Sequence, residues 1–201
     1  MPTVTKEELE QVLAGTGKRW GLLFAVIAAT GLRIGEALAL KWEDLSENCT
    51  VLNVRRSIWH GLEQEPKTPN AVRVIDIPDQ LARMLREQMD REGVYLFHTK
   101  KGRPLQQRNA IRALHATGKR VGFHAFRRFR TETLRRARVP EDLIRLWLGH
   151  SKQTVIDFYA AGLEKDEAWR REWCERVGLG FTLDGLLGLQ NAVDDTAEEA
   201  A

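Results

Sequence analysis

Apolar residues in this chain alternate with a period of two within residues 50–78 and recur at helical spacing on both sides of that stretch. A mainly helical α+β fold with a small antiparallel sheet of two or three strands follows. Val51, Asn53 and Arg55 alternate with Leu52, Val54 and Arg56; Val72, Val74 and Asp76 alternate less cleanly with Arg73, Ile75 and Ile77. Residues 65–70 between them read as a turn that carries Lys67 at or near a hairpin tip. Thr5-Lys6-Glu7-Glu8 has capping-box spacing and opens a short helix ending near Gly15. A second helix, about residues 20–29, is apolar nearly all round and is expected to be buried; Thr30-Gly31 breaks it, and a third runs over residues 33–40, placing Arg33 at a helix start. Beyond Pro78, helices are expected near 79–92, 106–117, 126–138, 141–148 and 154–159, punctuated by Gly102, Gly118, Gly122, Pro140 and Gly149.

With 201 residues, 43% of them hydrophobic, the chain has enough material for one compact domain. Its longest apolar run, residues 22–29, falls far short of the roughly 20 residues of a membrane helix, so no membrane partner is expected. Cys49 and Cys174 stand far apart and outside any ligand spacing, which fits a reducing cytoplasm and implies no structural metal. Charge is unevenly placed. Residues 100–138 hold thirteen Lys or Arg and a single acid, Glu132, whereas a merely solvated helix face carries acids as well. Such a block suits a polyanion, because each neutralised phosphate releases counterions. Lys100, Lys101, Arg103, Arg128 and Arg130 are the candidate DNA contacts within it.

Arg33, Lys67, His124, Arg127 and His150 are types that bind or protonate a phosphate, and Tyr159 follows the last of them by nine residues. Breaking a DNA strand without a cofactor takes a nucleophile, cations for the charge on the five-coordinate phosphorus, an acid for the departing 5′ oxygen and a base for the nucleophile. Arginine's planar fork suits two phosphate oxygens, while lysine is a point charge that can lend a proton. His124 and Arg127, three apart, share one helix face; Arg33 and Glu36, also three apart, form either an oriented guanidinium or an ordinary ion pair. Each residue alone has a bland reading: an exposed turn lysine, a capping histidine, a half-buried tyrosine. Their joint occurrence in this order is specific.

The wording around them, Thr30-Gly31-Leu32-Arg33-Ile34-Gly35-Glu36, His124-Ala125-Phe126-Arg127-Arg128, Leu148-Gly149-His150-Ser151 and then Tyr159, resembles the tyrosine recombinase (phage integrase) family over about residues 5 to 162. Lys67-Thr68 followed by Arg73-Val74-Ile75-Asp76-Ile77-Pro78 looks like the family's Lys-Thr hairpin running into an apolar strand. The resemblance implies the recombinase catalytic fold and site-specific cleavage and rejoining of double-stranded DNA through a 3′-phosphotyrosine, without metal or cofactor. It implies Tyr159 as nucleophile, Arg33, Arg127 and His150 on the phosphate, Lys67 as acid, His124 as base or proton shuttle and Glu36 in support. Self-association on DNA as a tetrameric synapse is also implied. Ala125 departs from the family's usual acid at that position, which loosens support without removing a catalytic group.

The family's N-terminal clamp domain is not matched, so the chain is expected to be a truncated form, a fragment or a minimal member. Relaxation of supercoils in the manner of a type IB topoisomerase and a catalytically idle DNA-binding module are the rival functions. Residues 1–177 are expected to form the catalytic domain. Residues 178–201 are expected to form a tail docking in cis or in trans, acidic and mobile at its end, following a helix with an apolar stripe of Trp169, Trp173 and Val177.

Overall fold

The computed structural model describes residues 3–65, 72–88, 93–150 and 165–187. The fold is mainly helical with a small antiparallel sheet, and each local rule is visible at the start of the chain. Helix α1, Lys6–Ala14, opens on the capping box: Thr5 Oγ1 accepts from the Glu8 amide at 3.2 Å and Glu8 Oε2 from the Thr5 amide at 3.1 Å. Helix α2, Lys18–Thr30, is buried from Trp20 onward and forms the centre of the core, its Phe24 ring lying against Phe123 and Phe126. Gly31 stops it in the left-handed region (φ 70°), where a side chain's Cβ would be strained, and Arg33 then caps α3, Ile34–Leu38.

Strand β1, Val51–Val54, pairs antiparallel with β4, Arg73–Asp76, in the register Val51↔Asp76 to Val54↔Arg73. Strands β2, Ser57–Trp59, and β3, Leu62–Gln64, form a separate hairpin. Its turn is His60-Gly61, both at positive φ (49° and 78°), the geometry that matches the twist of a two-residue hairpin. A hairpin thus closes upstream of the expected turn; residues 66–71, with Lys67, lie outside the described residues. Glu63 ties this hairpin to the body by accepting from Tyr95 Oη at 3.0 Å and pairing with Lys41 at 3.1 Å and Arg56 at 3.4 Å.

Helices α4, Asp79–Gln88, α5, Gln107–Ala116, α6, His124–Arg136, and α7, Glu141–Leu148, follow. α6 starts two residues earlier than its pattern suggests, so His124 and Arg127 share its first turn. The expected helix 154–159, with Tyr159, lies outside the described residues. Helix α8, Glu167–Val177, buries Arg170 and Cys174, and the Trp169, Trp173 and Val177 stripe is only partly covered. The stripe packs in part against the core of the same chain, and beside it the seat of α8 on β4 is polar: Arg170 reaches Asp76 there. Leu179, Phe181, Leu183 and Leu186 are buried, and helix α9, Asp184–Leu187, lies against α1 and α2 of the same chain.

Candidate active site

The site is organised around one buried carboxylate. Glu36, in the first turn of α3, accepts from the Arg33 backbone amide through Oε2 at 2.9 Å and from Arg33 Nη1 through Oε1 at 2.9 Å. Arg73 grips the same two oxygens from β4, Nη2 to Oε2 at 2.8 Å and Nη1 to Oε1 at 3.2 Å. Burial pushes the Glu36 carboxyl up, but Arg73 and then Arg33 outweigh it and hold the group below the ordinary carboxylate value. Arg33 remains 48% exposed at the side chain, whereas Glu36 is 7% and Arg73 2%. One guanidinium therefore faces outward, and the other anchors the carboxylate from within.

Arg127 projects from the first turn of α6 and joins two loops. Its Nη1 donates to the Gly31 carbonyl at 2.6 Å and its Nη2 to the Leu148 carbonyl. Burial, then the neighbouring charges of Arg33 and Arg73, lower its pKa to about 10, with Glu36 opposing. It stays protonated near neutrality, so the pocket keeps three guanidinium groups against one carboxylate.

His150 follows the left-handed Gly149 (φ 66°) that ends α7, its amide bonded to the Arg145 carbonyl at 3.1 Å. A Cβ at Gly149 would lie 2.9–3.0 Å from the Arg73 side chain, so glycine is required there for space as well as for backbone angle. His150 is exposed; partial desolvation, then Arg127 and Arg33, lower its pKa below the ordinary value, which favours the neutral ring that donates one N–H. His124, exposed at the start of α6, and Arg33 line a cleft of about 760 Å³, bounded by β2 and by Gln64 and Glu65 where the chain heads toward Lys67. Arg127 thus feels the charges of Arg33 and Glu36, and His150 those of Arg127 and Arg33, with His124 on the cleft wall that Arg33 shares.

Among the candidate DNA contacts, Lys100, Lys101 and Arg103 are exposed around the turn closed by Gly102, and Arg128 is half-buried on α6. Arg130 is a correction. It is 2% exposed, donates Nη1 to the Gly178 carbonyl at 2.8 Å, and burial lowers its pKa to about 10. It shares the inward face of α6 with Phe126, Phe129 and Leu134 and presents nothing to a phosphate. Arg73 is the residue that sequence reasoning passed over. The signal was its place on the same strand face as Ile75 and Ile77, both buried, where a charge demands a buried partner. Among the described residues no cluster of His, Cys, Asp and Glu has the makings of a metal site. No described helix is long and apolar enough to cross a membrane.

The profile of the phage integrase family matches residues 2–165. A XerC-like tyrosine recombinase of Caldanaerobacter subterraneus subsp. tengcongensis is 30% identical over 188 aligned residues, covering 76% of this chain and 48% of that protein. The chain thus spans about half the length of that relative. The integrase of mycobacterium phage Brujita superposes with a TM-score of 0.65 at 18% identity, over 95% of this chain and 64% of that one. The Tn1549 transposon integrase, solved in complex with a circular intermediate DNA, gives 0.61 at 19% identity over 81% and 66%. At these identities the solved structures speak to the fold.

Proposed function

The chain belongs to the phage integrase family, and from that premise we propose that it cleaves and rejoins double-stranded DNA at specific sites through a 3′-phosphotyrosine intermediate. The observation that carries the proposal is the half-exposed guanidinium of Arg33, held by Glu36 and within electrostatic reach of Arg127 and His150. Such preorganised donors favour charge that develops on nonbridging phosphate oxygens.

In this reading the Tyr159 oxygen bonds to phosphorus as the phosphorus–O5′ bond breaks. His124 takes or relays the tyrosine proton and Lys67 gives one to the 5′ oxygen, so charge and protons balance in each direction. A tyrosine ordinarily titrates near ~10, and the surplus of positive charge beside the scissile phosphate lowers the cost of its anion. Rejoining is the reverse, with a 5′ hydroxyl as nucleophile. Lys100, Lys101, Arg103 and Arg128 serve as backbone-phosphate contacts that position the duplex.

Exchange between two duplexes requires cutting four strands, which implies four active sites and a tetrameric synapse. Residues 1–177 form the catalytic domain. Residues 178–201 form a tail; the packing of residues 178–187 against α1 and α2 supports cis docking of that part. The site of action is the cytoplasm, where DNA and reduced cysteines coexist. Incubation with a nicked suicide duplex, followed by a denaturing gel, tests the proposal: a covalent protein–DNA band is expected, and its absence rejects the reading.

A further inference from the structure

The Arg73 side chain is 2% exposed, and its charge is buried in the wall behind the site. The structure assigns it a positioning role: we propose that Arg73 fixes the Glu36 carboxylate, and through it the Arg33 guanidinium, against the end of α7. The inference rests on the reading of Arg33 as a phosphate ligand.

The geometry argues for position over stability. A buried ion pair is weak evidence of stabilisation, because removing two charges from water offsets most of their attraction, and apolar residues of similar volume often serve as well. On β4 the same face is filled by Ile75 and Ile77, so an apolar residue would fit its surroundings. Arginine provides a rigid fork instead. Nη1 and Nη2 set the plane of the Glu36 carboxylate, while Nε donates to the Trp147 carbonyl at 3.0 Å. Both Glu36 oxygens are thereby oriented before they meet Arg33, which takes Oε1 by its guanidinium and Oε2 by its amide. The side chain also lies against Gly149, at the root of the turn that carries His150. One planar group therefore references the exposed cation to the last turn of α7. A lysine keeps the charge but has no fork with which to hold Glu36 and Trp147 together.

The test is single-turnover cleavage of a nicked suicide duplex by wild type, Arg73→Lys, Arg33→Ala and the double variant. Arg73→Lys is expected to slow cleavage by on the order of 10-fold or more, since small misplacements of a reacting group are that costly, with duplex binding unchanged. In the Arg33→Ala background the same change is expected to add less than about 2-fold, because residues acting through one another are not additive. Wild-type cleavage by Arg73→Lys, or its full factor retained without Arg33, overturns the proposal. Should Arg73→Lys not fold, Glu36→Gln cuts the same link and enters the cycle in its place. Rotation of the Arg33 guanidinium, read from its nitrogen resonances in the free chain, is expected to be slow in wild type and fast in the variant. Unchanged rotation overturns the inference whether or not the chain cleaves DNA, whereas a wild type that forms no adduct overturns only the reading of the site.

Discussion

Arg170 Nε lies 3.0 Å from Asp76 Oδ2, and both side chains are almost wholly buried. The Trp147 indole donates to the same oxygen at 2.9 Å, so β4, α7 and α8 meet on one carboxylate whose other oxygen, Oδ1, has no hydrogen-bond partner among the described residues. Removing one member of such a pair leaves an uncompensated charge. Asp76→Asn or Arg170→Leu is expected to destabilise the chain by about 3–5 kcal/mol in urea denaturation, and the Asp76→Asn/Arg170→Leu double variant by less than the two losses summed. Additive losses would show that the pair does not interact.

Lys67 is expected to matter through the leaving group. A substrate with sulfur at the bridging 5′ position departs as a thiolate that needs little protonation, so it should largely restore cleavage by Lys67→Ala and restore Arg33→Ala much less. Equal restoration of the two refutes Lys67 as the acid. Tyr159→Phe should form no adduct with either substrate.

Arg33 and Arg127 should separate by stability. Replacing either with alanine is expected to slow cleavage by on the order of 10²-fold or more, the usual cost of a transition-state donor. Arg127→Ala also strips the Gly31 and Leu148 carbonyls of their donor, at about 1–3 kcal/mol of folding stability. Arg33 is half exposed, so thermal melting of Arg33→Ala should stay close to wild type.

The pH dependence follows from two depressed groups. Glu36 titrates below its ordinary 4.5, so its contribution to stability is fully present above that value and is lost as pH falls through the folded-state titration. His150 titrates below its ordinary 6.5, so the folded state binds fewer protons there than the unfolded state, and stability again falls as pH drops below 6.5. An NMR titration of the imidazole is expected to give a midpoint under 6.5, and a midpoint above it would contradict the combined effect of partial desolvation and the charges of Arg127 and Arg33.

Salt dependence should distinguish the surface cations from the buried one. Substituting Lys100, Lys101 and Arg103 is expected to lower the slope of log affinity against log salt by about 1 for each phosphate no longer neutralised. Arg130→Met should leave that slope unchanged and lower the melting temperature, because the Gly178 carbonyl loses its donor in the core.

Local rules carried much of this protein. The capping box at Thr5 and Glu8, the left-handed stops at Gly31 and Gly149, and the three-residue spacings of Arg33 with Glu36 and His124 with Arg127 all act within a turn of helix. These short-range patterns suffice to place Arg33 at the opening of a helix, His150 just past the end of one, and His124 and Arg127 on a shared face. Which arginines face the cleft and which face the core is settled only when distant elements pack. Arg130 and Arg127 stand three apart on one helix, yet one holds Gly178 and the other joins the Gly31 and Leu148 loops. Arg73 meets Glu36 across 37 residues and Arg170 meets Asp76 across 94. No periodicity encodes such pairings: a buried charge finds its partner when whole elements pack, and burial, which makes the partner obligatory, exists only once they have packed.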